Sequence, residues 1–255
     1  MNSHAKLKAI ATAVIGLAWF SHLGTAAAAV QVVSNANFSI SYNDATRFGT
    51  ATLIGNALSF DLVSTASPAT PWVAESLNGA GVVTSNSTVA LTLKINDAAY
   101  ASGYRFSAFD WLEGGDYFLK EASSSVSVLG QLRAINQALP LVTTTTKGLT
   151  VLAPGLTTVA SNTDWFAIAK LDAATSCGGP GCLNVFSTQP QEMLLTIENR
   201  LSASTTGANT QGFIEKKLGA GAFTLQVTAV PEASTWVMML AGLGAVGFVA
   251  SRRRA

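Results

Sequence analysis

Apolar and polar residues alternate with a period of two along much of this chain. Leu91, Leu93 and Ile95 alternate with Thr92, Lys94 and Asn96, and Phe223, Leu225 and Val227 with Thr224, Gln226 and Thr228. Between Glu192 and Leu201, the residues Met193, Leu195, Ile197 and Leu201 fall on one side, with Glu192, Thr196, Glu198 and Arg200 on the other. Successive side chains of a strand point to opposite faces, so this pattern predicts half-buried antiparallel strands. Further strands are predicted over 37–42, 47–54, 57–63, 103–109, 163–171 and 211–216. The segment 125–135 is assigned as a strand, with a helix as the alternative. The spacers Ser67-Pro68-Ala69-Thr70-Pro71, Asn78-Gly79-Ala80-Gly81, Glu113-Gly114-Gly115-Asp116 and Ala153-Pro154-Gly155 carry turn chemistry. Ten or so short strands separated by such turns predict an all-β fold, an antiparallel two-sheet sandwich of jelly-roll type.

The two ends follow a different pattern. Lys6 and Lys8 precede an apolar stretch from Ala9 to Phe20, and Ala26-Ala27-Ala28-Ala29 offers small-residue cleavage sites. This is the layout of a secretory signal peptide covering 1–29. From Ala233 to Ala250 there is no charged residue, and Ser251 then leads into Arg252, Arg253 and Arg254. At ~1.5 Å per residue that run measures roughly 27 Å, enough for a transmembrane helix over about 234–250. The arginines would stay on the cytoplasmic side, which leaves everything before Pro231 outside. The expected division is therefore a signal peptide over 1–29, an extracytoplasmic domain over 30–229 and a tail over 230–255.

The tail reads Val230-Pro231-Glu232-Ala233-Ser234-Thr235-Trp236, then Leu240-Ala241-Gly242-Leu243-Gly244, then Arg252-Arg253-Arg254. It resembles the PEP-CTERM sorting signal, in which a Pro-Glu-Pro-like motif precedes a membrane helix and a basic cluster. The second proline of that motif is Ala233 here. The resemblance implies a bacterial protein handled by an exosortase-type membrane enzyme, with an association to exopolysaccharide. By the resemblance, the sorting residues are Val230, Pro231, Glu232, Ala233, Ser234, Arg252, Arg253 and Arg254.

Composition narrows the rest. Without the two targeting segments the chain keeps ten Lys plus Arg against thirteen Asp plus Glu, a net charge near −3 with no basic run. Nucleic acid is not expected as a partner, since the positive footprint that phosphate binding needs is missing. Both histidines, His4 and His22, lie in the leader. The exported part then has none, which removes Ser-His-Asp and Cys-His catalysis and the commonest zinc sites. Cys177 and Cys182 flank a Gly-Gly-Pro-Gly turn. In an oxidising compartment they are expected to close a small disulfide loop.

Two clusters could carry chemistry. Asp110, Glu113 and Asp116 surround Gly114-Gly115; they are a candidate calcium site, with a solvated hairpin turn as the simpler reading. Trp72 and Trp111 are candidates for a sugar-stacking surface, Trp72 because Pro71 and a polar loop flank it, whereas Trp165-Phe166 with Ile168 and Leu171 reads as core. No cofactor is expected. The functional expectation is a non-enzymatic surface or matrix protein tied to exopolysaccharide or biofilm. The alternatives are a carbohydrate-binding module and a glycoside hydrolase acting through carboxylates alone.

Overall fold

The computed structural model describes residues 29–43, 47–61, 72–139, 144–173, 184–216 and 223–231, together with 241 and 243. The strands among them are β1 (Val30–Ser34), β2 (Phe38–Asn43), β3 (Thr50–Ile54), β4 (Ala57–Asp61), β5 (Val73–Leu77) and β6 (Gly81–Ile95). A short helix, α1 (Asp97–Ala101), precedes β7 (Tyr104–Leu119), β8 (Ser124–Asn136), β9 (Thr144–Gly148) and β10 (Thr150–Val151). Then come β11 (Thr163–Asp172), β12 (Glu192–Thr205), β13 (Gln211–Lys216) and β14 (Phe223–Pro231). All the strand pairings described are antiparallel, and they build two sheets, which is the all-β sandwich that the alternation predicts.

The first sheet runs β1-β2-β6-β12-β8-β9. Its inner face carries Phe38, Ile40, Leu91, Leu93, Ile95, Leu132, Leu195 and Ile197, all fully buried. The second runs β10-β11-β7-β14-β4-β3, with β13 and β5 set beside it. It contributes Leu58, Phe109, Trp111, Tyr117, Leu225 and Val227 to the same core. Aromatic rings cross between the sheets: Phe38 meets Phe106 and Tyr42 meets Phe60, each edge-on with centroids 6.0 Å apart. Burying a large apolar side chain of this kind contributes about 1.5–3 kcal/mol, so the shared interior is what holds the two layers together.

Strand β7 organises the second sheet. On one side it pairs with β11 from Ala108 to Tyr117. Its other side is divided between two strands: β14 takes Tyr104 to Glu113, and β13 takes Gly115 to Leu119. The pairing with β14 slips between Thr228 and Ala229, which leaves Ser107 unopposed and lets its hydroxyl bond the Thr228 carbonyl at 3.1 Å. A bulge of this kind resets which face a side chain meets. After it the odd residues Phe109, Trp111, Glu113, Gly115, Tyr117 and Leu119 all point inward.

Several expectations change here. Residues 113–116 are not a hairpin turn; they lie inside the sixteen residues of β7. The two glycines serve close approach. A Cβ on Gly115 would collide with the Glu215 carbonyl of β13, and one on Gly114 would come within 2.8 Å of the Phe166 ring. Segment 125–135 belongs to a strand, β8, and not to a helix. Phe166 is 52% exposed, while Trp165, Ala167, Ala169 and Leu171 are buried; grouping Phe166 and Ile168 with Trp165 ignored the two-residue period. The Asn78-Gly79 turn forms as read, with φ of 51° and 79° at the two residues. The Ser67–Pro71 spacer lies outside the described residues.

Candidate functional site

The C-terminal junction is the first place where fold and function meet. Ala229, Val230 and Pro231 pair with Phe106, Arg105 and Tyr104 at the start of β7. The boundary expected at 229/230 therefore falls within a strand, and the sorting signal leaves the sheet with no linker before it. Among the described residues β4 pairs with β14 only as far as Gln226, so Pro231 lies where β14 pairs with β7 alone, an edge on which proline is tolerated. Glu232, Ala233, Ser234, Arg252, Arg253 and Arg254 lie outside the described residues. So do the expected signal peptide up to residue 28, the pair Cys177 and Cys182, and, but for Ala241 and Leu243, the apolar run 234–250. Among the described residues no helix is long and apolar enough to cross a membrane.

The second place is the interior where β13 stops and β14 begins. Lys216, the last residue of β13, faces Gly115, and Phe223, the first of β14, faces Glu113. Glycine at 115 removes the side chain that would hold β13 away, and the Lys216 chain runs inward beside it. Its Nζ reaches Glu113 Oε2 at 2.7 Å, with both side chains fully buried. The same oxygen accepts from Trp111 Nε1 at 3.2 Å and from Nδ2 of Asn199, which β12 delivers from the opposite sheet. Nζ also lies 4.2 Å above the Trp72 ring. Three donors thus converge on one oxygen. Glu113 Oε1 and Asn199 Oδ1, both buried, have no hydrogen-bond partner among the described residues. Burial pulls the Lys216 pKa from 10.5 down to about 8, against the opposing attraction of Glu113.

The sequence-derived candidates are redistributed accordingly. Glu113 points into the core, whereas Asp110 and Asp116 lie on the other face of β7, opposite Lys170 and Asp164 of β11. The three acids do not converge, because an i, i+3 spacing on a strand places residues on opposite faces. Among the described residues no group of acids, histidines or cysteines is placed to hold a metal ion. Trp72, expected in an exposed loop, is 2% exposed and donates its Nε1 to the Ser85 carbonyl at 3.3 Å; Trp111 is wholly buried. Neither can stack on a sugar at the surface. Asn199 and Lys216 were not singled out by sequence reasoning. Asn199 carried a signal: it breaks an otherwise apolar face between Ile197 and Leu201. Lys216 carried a similar one, falling in step with Gly212 and Ile214 on the inward side of β13.

A third feature is a cleft of about 360 Å³ on the outer face of the first sheet, where Asn86, Thr88, Gln131, Glu198 and Arg200 present polar groups. Gln131 Nε2 donates to Glu198 Oε2 at 2.7 Å across it.

Comparison with known proteins bears on the tail. Residues 229–254 match the family model of the PEP-CTERM protein-sorting motif. That motif implies a secreted protein held at the membrane before processing, with an exosortase-type enzyme as the processing partner. No curated protein matches the chain.

Proposed function

We propose that the protein is a non-enzymatic bacterial surface or matrix protein whose β-sandwich is delivered outside the cell by its C-terminal tail and works there in association with exopolysaccharide. The observation that carries this reading is the overlap at 229–231, where the last strand of the sandwich is also the start of the sorting motif. From Pro231 to the apolar run at Ala233 the chain can extend at most about 7 Å. On this reading the folded body stays close to the membrane until the tail is processed. The absence of histidine from the exported part and the scattering of Asp110, Glu113 and Asp116 favour a structural or binding role. The outer cleft holds a single carboxylate, Glu198, and a second cleft between Tyr100, Leu139 and Gln189 holds only Glu192, which does not favour hydrolysis by paired acids.

Fractionation of the native host with an antibody against the folded domain tests the proposal. The expected result is protein in the membrane and at the cell surface or in the medium, with retention in the membrane altered when Glu232, Arg252, Arg253 and Arg254 are replaced together. Full-length protein confined to the cytosol would overturn it. A carbohydrate-binding role is the second reading, and the outer cleft with its amide, hydroxyl, carboxylate and guanidinium groups favours it. It predicts retarded migration in an affinity gel containing the host's own polysaccharide, and unretarded migration counts against it.

A further inference from the structure

We propose that Lys216 and Asn199 become joined by an intramolecular isopeptide bond, which the protein forms by itself with Glu113 as the acid–base group. Such a bond needs an amine, a carboxamide, a group that moves protons between them, and the exclusion of water. All four are present at one point of the core. Lys216 Nζ and Asn199 Nδ2 both contact Glu113 Oε2, so the amine and the carboxamide are held around a single carboxylate oxygen. Trp72 and Trp111 close the site, with Phe48 edge-on to Trp72 at 5.0 Å and 6.0 Å from Trp111. In such surroundings burial shifts the balance from the ammonium toward the neutral amine, the direction in which the Lys216 pKa moves. A positioned carboxylate then suffices for proton transfer, and nothing competes with the amine as nucleophile.

The reaction balances without any added reagent. The ammonium of Lys216 gives one proton to the Glu113 carboxylate. Nζ attacks Cγ of Asn199, and the tetrahedral centre collapses with cleavage of the Cγ–Nδ2 bond. Glu113 relays a proton from Nζ to the departing nitrogen, which leaves as ammonia. The five hydrogens borne at the start by the ammonium and the carboxamide end as three on ammonia, one on the new amide nitrogen and one on Glu113. Charge is conserved, since a cation and an anion become two neutral groups, and nothing is oxidised or reduced.

The product also resolves what the separate side chains leave unresolved. A buried ion pair is costly to desolvate, and a partly satisfied buried network more so. In the product the protonated Glu113 can donate to the Asn199 carbonyl oxygen while the new amide N–H donates to Glu113. Both acceptors that had no partner, Glu113 Oε1 and Asn199 Oδ1, lie at this spot. The bond would tie β12 of one sheet to β13 of the other, across the middle of the sandwich.

Tryptic mapping of the folded, reduced full chain tests this. The expected result is a branched peptide in which 171–200 is joined to 201–217 through Asn199 and Lys216, lighter than the two segments together by one ammonia. Asn199→Ala and Glu113→Gln are expected to return two linear peptides with cleavage after Lys216. Linear peptides from the folded unmodified chain would overturn the proposal and leave a permanent ion pair. Ammonia loss confined to Asn199, with Lys216 cleavable, would overturn it too. The unmodified chain decides the matter even if neither variant folds.

Discussion

Two lysine–carboxylate pairs in this protein share one chemistry and differ in everything else. Lys170 and Asp172 sit on the outer face of β11 at 3.8 Å, with side chains 55% and 17% exposed. Lys216 and Glu113 meet at 2.7 Å with no exposure at all. Water screens the first pair and absorbs either charge if the other is lost. The second pair has no such reserve, so each partner is needed by the other, and the same desolvation that makes the pair costly makes the lysine a better nucleophile. Burial turns an ordinary contact into a reactive one.

Removing a partner separates the two cases most sharply. In an Asn199→Ala background, where the amine stays unjoined, adding Lys216→Ala is expected to lower unfolding free energy by about 3–5 kcal/mol, because it leaves the Glu113 carboxylate buried without a cation. Urea unfolding measures this, and a loss below ~1 kcal/mol would mean that the inner pair behaves like a surface one. A pH series sharpens the comparison further. Where Lys216 keeps its amine, as in Asn199→Ala, the folded chain releases a proton near pH 8 and the unfolded chain near 10.5. The unfolded state then holds more protons between those values, so stability should rise with pH across that window, by up to about 3 kcal/mol, and be flat with respect to this group below it. In the crosslinked protein that rise should vanish, since an amide nitrogen does not titrate there. Equal slopes in the two proteins would contradict the bond. Lys170→Ala is the smallest step, expected to change stability by less than ~0.5 kcal/mol and to lose even that at high salt.

How much of this was legible in the sequence depends on which regularity each residue obeys. The alternation in 91–95, 192–201 and 223–228 located three strands and their inward faces, because those faces are apolar throughout or nearly so. Strand β7 was cut short because Gly114-Gly115 has the composition of a turn. Its glycines answer instead to the approach of β13 and of the Phe166 ring, neighbours that lie far along the chain and leave no local trace. Trp72 was misplaced for the same reason: Pro71 and its polar surroundings describe the local chain, whereas the Trp72 ring is packed by Phe48 and Lys216. The tail was legible because its three parts follow one another in sequence and do not need a fold to assemble them. The inner cluster is the opposite case. Asn199 could be recognised as a polar interruption of an apolar face, but its meeting with Glu113 and Lys216 depends on how two sheets stack.

The route of β14 into the tail also sets which end of the sandwich carries the motif. Pro231, within the matched motif, lies against Tyr104 at the start of β7. Fifteen residue steps further along, at ~3.3 Å each, the Leu119 end lies roughly 50 Å away along the strand. There Leu119 pairs with Gly212, and the Asn78-Gly79 turn closes beside Gly207 and Thr210. The sorting motif therefore starts at one cap of the sandwich, and the Asn78-Gly79 turn marks the other.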